Sequence, residues 1–81
     1  MRFDYSKLLG KMRECGYTQE KLAHAIGVSK STLNQKLNNK ANFYHPEMQQ
    51  ICDLLNIPGS EVHSIFFAQE VEKNATQDTH N

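Results

Sequence analysis

Two helix starts with the same local pattern, and a glycine between them, constrain this chain more than any other feature. Thr18 precedes a helix-forming run, with Tyr17 before it and Leu22 four residues on. Ser29 repeats the pattern, with Val28 before it and Leu33 four residues on. A Thr or Ser hydroxyl at such a position accepts a hydrogen bond from an otherwise orphaned N–H of the first turn. The flanking apolar pair then fixes the angle at which the chain enters the helix. Between the two starts, Gly27 stands where the chain must leave the first helix with positive φ, which glycine adopts without steric cost. The short turn from Gly27 to Ser29 holds the two helices at an angle. Leu22, Ile26, Val28 and Leu33 fill that angle, and Ala23 is small enough for the helices to cross closely.

The rest of the chain reads as further short helices. Tyr5, Leu8, Leu9 and Met12 share one helical face, with Asp4 as the expected N-cap and Gly16 as the terminator. Pro46 suits the first position of another helix, whose apolar face is Met48, Ile51, Cys52 and Leu55. After a break at Asn56-Ile57-Pro58-Gly59, Val62, Ile65 and Phe66 outline a short last helix. No segment alternates long enough for a strand. The expected fold is therefore all-α, a single five-helix domain over residues 1–67. Residues 68–81 are polar and contain no aromatic residue, so they are expected to form a disordered tail. A chain of 81 residues has room for one shallow core.

Composition removes several classes of function. The N-terminal MRFDYSKLLGKMREC carries charges throughout and lacks the apolar centre of a secretory signal. No run approaches the ~20 apolar residues that span a bilayer. Cys15 and Cys52 are therefore expected to be reduced thiols of a cytoplasmic, nucleoid-associated protein. His24, His45, His63 and His80 are scattered, without ligand spacing to either cysteine, so no metal is expected. There is no glycine-rich phosphate loop and no legible nucleophile and base, so no cofactor, small-molecule ligand or catalysis is expected.

The net charge of zero conceals an asymmetry. Eight of the nine basic residues lie before His45, and six of the nine acidic residues lie after Tyr44. A basic half of this kind suits an anionic partner. The helix that begins after Ser29 adds detail, because no acidic residue occurs between Val28 and Asn42. Its outward side carries Lys30, Ser31, Thr32, Asn34 and Gln35. Gln35 and Asn34 can pair with adenine edges and Lys30 can reach guanine, while Ser31 and Thr32 accept either a hydrogen bond or a thymine methyl.

The spacing of Gln19, Ala23, Ile26, Gly27, Val28, Ser29 and Leu33 resembles the helix-turn-helix of the phage repressor and Cro superfamily. The runs KLNNKANF, LLNI and EVHSIFF are similar to a narrower group of small phage-encoded regulators of Gram-positive hosts, part of it of unassigned function. The resemblance covers roughly residues 3 to 67. It implies operator double-stranded DNA as partner, with the helix after Ser29 in the major groove. Lys30, Ser31, Thr32, Asn34 and Gln35 would read bases. Thr18 and Gln19 lie at a helix N-terminus, a natural anion site, and would position phosphate. On the other side Asn38, Asn39 and Lys40 would do the same.

One position departs from the superfamily pattern. Three residues after Leu33, where an apolar residue is usual, stands Lys36, followed by Leu37. This predicts that the helix rolls, or ends in a tighter turn, to bury Leu37. Phe66 and Phe67 either both close the core or leave one ring at a homodimer interface. A dimer would extend the reading of too few base pairs by a single helix. The competing class is a protein-interaction module, antirepressor-like or antitoxin-like, on the same scaffold. RNA binding lacks an obvious platform of exposed aromatics.

Overall fold

Each of the four longer helices stops at a residue in the left-handed region. The computed structural model describes residues 2–70, which contain α1 (Ser6–Glu14), α2 (Gln19–Ile26), α3 (Lys30–Leu37), α4 (His45–Leu55) and α5 (Val62–Phe66). A 3-10 turn, Gly59–Glu61, leads into α5. The terminators are Gly16, Gly27, Asn39 and Asn56, with φ of 77°, 80°, 64° and 55°. Past each one, an N–H reaches back five residues to a carbonyl of the last turn. Tyr17 donates to Met12 (2.8 Å), Val28 to Ala23 (3.0 Å), Lys40 to Gln35 (2.8 Å) and Ile57 to Cys52 (2.9 Å). These bonds satisfy carbonyls that a helix end would otherwise leave orphaned. Sequence reading anticipated the two glycines. It missed the two asparagines, the residue type that best tolerates this conformation after glycine.

The helix starts follow their expected caps with small shifts. Thr18 Oγ1 accepts from the N–H of Lys21 (3.1 Å), and Ser29 Oγ accepts from the N–H of Thr32 (3.0 Å). Asp4 lies one residue ahead of the actual cap position, Tyr5, yet its carboxylate accepts from the N–H of Ser6 (2.9 Å). That bond and the Ser6 hydroxyl hold the Asp4 carboxyl below its usual range. Pro46 occupies the second position of α4, after His45.

The core gathers one face from every helix. Leu8, Leu22, Leu33, Ile51, Leu55, Ile65 and Phe66 are essentially inaccessible. Phe43, in the loop between α3 and α4, wedges edge-on between Tyr5 and Phe66 at 5.4 and 5.5 Å. Burial there pushes the Tyr5 phenol up. Phe66 closes the core, whereas Phe67 remains 38% exposed.

Two features lie outside the sequence expectation. Phe3 and Gln69 form an isolated antiparallel bridge, with Asp4 N–H donating to Ala68 O (2.6 Å) and Glu70 N–H to Arg2 O (2.9 Å). Ala68 to Glu70, expected in the tail, therefore pair with the folded unit. The remainder of the expected tail, residues 71–81, lies outside the described residues, as does Met1.

The second feature is how the two charged halves meet. Arg2 pairs with Glu70 (3.2 Å), Lys11 with Glu61 (3.6 Å) and Lys36 with Glu47 (2.8 Å). Each pair joins a cation of the basic half to a carboxylate of the acidic half. The first two are substantially exposed and contribute little to stability. The third is buried.

Candidate nucleic-acid interface

The candidate interface is built on α2 and α3, joined by Gly27, Val28 and Ser29. Leu22, Ala23 and Ile26 of α2 and Leu33 of α3 are buried between the helices and the core. This packing fixes which side of α3 faces out. Lys36 settles the question of rotation. The helix does not roll to bury Leu37, which stays half-buried; Lys36 itself turns inward and is 3% exposed. Its aliphatic stem takes the place of the usual apolar residue. Its ammonium donates to Glu47 Oε1 (2.8 Å) and to Asn42 O (3.0 Å), and lies 4.3 Å from the centre of the Tyr44 ring. Glu47 also accepts from the N–H of Tyr44 (2.9 Å). A buried charge requires such complete pairing, and these bonds supply it. The sequence did carry a signal for the pair, since Glu47 is the first acidic residue after Glu20.

With the register fixed, the expected base-reading residues separate. Lys30, Ser31 and Gln35 are exposed, and their side chains make no hydrogen bond among the described residues. Thr32 is half-buried, and its hydroxyl oxygen accepts from Ser29 Oγ (2.9 Å). Asn34 is exposed but engaged at both ends of its amide. Its Nδ2 donates to Gln19 Oε1 (3.2 Å), and its Oδ1 accepts from Asn38 Nδ2 (3.0 Å). Asn34 thus ties α2 to α3, and of the five expected residues Lys30, Ser31 and Gln35 keep open side chains.

The expected phosphate-positioning residues also divide. Thr18 is exposed at the α2 N-terminus, with its hydroxyl capping the helix. Gln19 is half-buried, with its Oε1 accepting from Asn34 Nδ2. Asn38 donates to the carbonyl of Asn34 (2.9 Å) as well as to its side chain. Lys40 is exposed, with no ion pair among the described residues.

Asn39 has a different job. Its Oδ1 accepts from Phe3 N–H (2.8 Å) and its Nδ2 donates to Phe3 O (3.0 Å). The side chain acts as a third strand beside the Phe3–Gln69 bridge and fastens the C-terminal end of α3 to the Phe3 backbone. Both ends of its amide are committed to this inward contact. The expectation of a phosphate contact at Asn39 therefore gives way to a positioning role.

The two cysteines are free thiols on separate helical surroundings. Cys15 donates to Leu55 O (3.6 Å), and burial together with Asp53 pushes the Cys52 thiol up. No cluster of three metal-ligating side chains occurs among the described residues. No described helix is long and apolar enough to cross a membrane.

A family model described as "Protein of unknown function (DUF739)" matches residues 1–69. Among solved structures, the chain is similar to the solution structure of the modulator of repression (MOR) of the temperate bacteriophage TP901-1 from Lactococcus lactis. The two are 35% identical, with a TM-score of 0.71, and the match covers 89% of this chain and 97% of the other. No curated protein matches the sequence.

Proposed function

The chain belongs to the DUF739 family, and from that membership and the geometry of α3 we propose that it is a sequence-specific DNA-binding regulator without enzymatic activity. The observation that carries this reading is the open face of α3. Lys30, Ser31 and Gln35 present donors and acceptors from a helix whose other side is locked in the core. No carboxylate interrupts that face. An α-helix fits the major groove, and residues of its first turns reach base edges there. Thr18, Gln19, Asn38 and Lys40 flank the face and would hold the phosphates. The similarity to a phage modulator of repression supports a regulatory role and leaves the macromolecule that is contacted open.

One observation favours a second reading, in which α3 docks on another regulator rather than on DNA. Lys36 is neutralised inside the fold and Arg2 and Lys11 are paired with acids at its surface, so the face and its flanks keep few exposed cations, chiefly Lys21, Lys30 and Lys40. The name of the similar phage protein is compatible with either partner.

Salt dependence separates the two. A face meeting three or four phosphates should lose about 40- to 150-fold in affinity for duplex DNA between roughly 50 and 200 mM salt, because each neutralised phosphate releases counterions. Fluorescence anisotropy on pooled genomic fragments reads this slope. Absence of binding at about 50 mM salt removes the DNA reading in favour of protein docking.

A further inference from the structure

We propose that the hollow between α4 and α5 docks a second copy of this chain about a two-fold axis. In that pair α4 lies antiparallel to its mate, with Gln49 on the axis. The hollow has an apolar floor of Met48, Cys52, Val62 and Phe67. It continues past Met48 and Phe67 into a second depression walled by Phe3 and Phe43. Phe67 stands at the junction, 38% exposed, edge-on to Phe3 at 5.9 Å and beside the His63 ring at 5.7 Å. A ring held in place by neighbours yet left in water is both a knob and one wall of a hole. An isologous interface needs such a self-complementary patch.

The polar rim identifies the occupant. His45, Gln49 and Asp53 line the same hollow and are all exposed. They recur every fourth residue along α4, so they form one stripe, about 12 Å from end to end. Reversing that stripe about Gln49 sets each His45 opposite Asp53 of the other copy and each Gln49 opposite its equivalent. The first contact joins a donor to a carboxylate, and the second joins two amides. The stripe is thus complementary to its own reversal, as a two-fold contact requires. Residues 71–81 do not suit the hollow, because Val71 and Ala75 are their only apolar side chains. This inference does not rest on the DNA reading, since none of the lining residues belongs to α2 or α3 and the surface is tested without DNA.

Sedimentation equilibrium on the full chain tests it. The wild type should dimerise with a dissociation constant in the micromolar range, as small interfaces do. His45→Asp places two carboxylates opposite each other, and Asp53→Lys removes the acceptor and sets an ammonium against the His45 ring. Each variant should weaken the dimer at least tenfold, and an equimolar mixture of the two should restore it as a heterodimer. Both substitutions suit their ends of α4, with an acid in the first turn and a base in the last, so folding is retained. A chain that stays monomeric to about 1 mM overturns the proposal, and so does a dimer indifferent to both variants or a mixture that fails to recover. A monomeric full chain that dimerises only when cut after Glu70 overturns it too, and assigns the hollow to the chain's own C-terminal residues.

Discussion

Replacing Glu47 by alanine should cost about 3 kcal/mol of folding stability, a fall of roughly 15 °C in Tm for a domain of this size. The loss comes from the group left behind. Lys36 is 3% exposed, and without Glu47 its ammonium keeps only the carbonyl of Asn42 and the face of Tyr44. An uncompensated buried charge is far more damaging than the absence of a pair. The α4 start also loses the acceptor for the Tyr44 N–H. Lys36→Met should cost less, about 1–2 kcal/mol, because a thioether of similar length fills the same space without needing a partner, while Glu47 loses its cation but keeps the Tyr44 N–H and some access to water. The double variant Lys36→Met, Glu47→Ala should lose only about 1 kcal/mol, the share of the Tyr44 N–H contact, because no buried charge is left unpaired. Thermal denaturation of the four proteins closes the cycle. A Glu47→Ala variant within about 0.5 kcal/mol of the wild type would mean that Lys36 is not buried against it, and the register of α3 would have to be redrawn.

Asn39→Ala should be comparably damaging, at roughly 3 kcal/mol, for two separable reasons. Two part-buried hydrogen bonds to Phe3 vanish, at about 1 kcal/mol each. A Cβ-bearing residue without a local hydrogen bond must also hold φ of 64°, which adds roughly 1 kcal/mol. Asn39→Gly isolates the first cause, since glycine adopts that φ freely, and should lose about 2 kcal/mol. Denaturant midpoints give the totals, and amide exchange at Phe3 locates the effect: protection should fall in both variants. Unchanged Phe3 protection would show that the Phe3 segment is not fastened to α3 through this side chain.

These two residues mark where sequence reading stopped. The helix starts were legible because capping is local: Thr18 and Ser29 need only their own next three residues. The glycine terminators were legible for the same reason. The five helices and most of the core followed from periodicity. Lys36 was recognised as a departure, but its resolution needed Glu47, eleven positions away, and a loop geometry that periodicity does not encode. For Asn39 the family resemblance implies a phosphate contact. The true partner of Asn39, Phe3, is 36 residues earlier, and a single-residue bridge leaves no alternating pattern to find. The charge asymmetry was real, yet part of it serves the fold, since Arg2, Lys11 and Lys36 each find an acid of the other half. Of the expected reading face, Lys30, Ser31 and Gln35 remain open, while Asn34 turns out to brace α2 against α3.

Selection of bound duplexes from a random DNA pool, run in parallel on the wild type and on Gln35→Ala, tests the proposed DNA-reading function most directly. The account predicts an enriched consensus for the wild type. With Gln35→Ala, preference at one base pair of each site should relax by about 1–2 kcal/mol, while the flanking positions and the fold are unchanged. A pool that shows no enrichment at about 50 mM salt, or a consensus identical in the two proteins, would contradict the claim that α3 reads DNA.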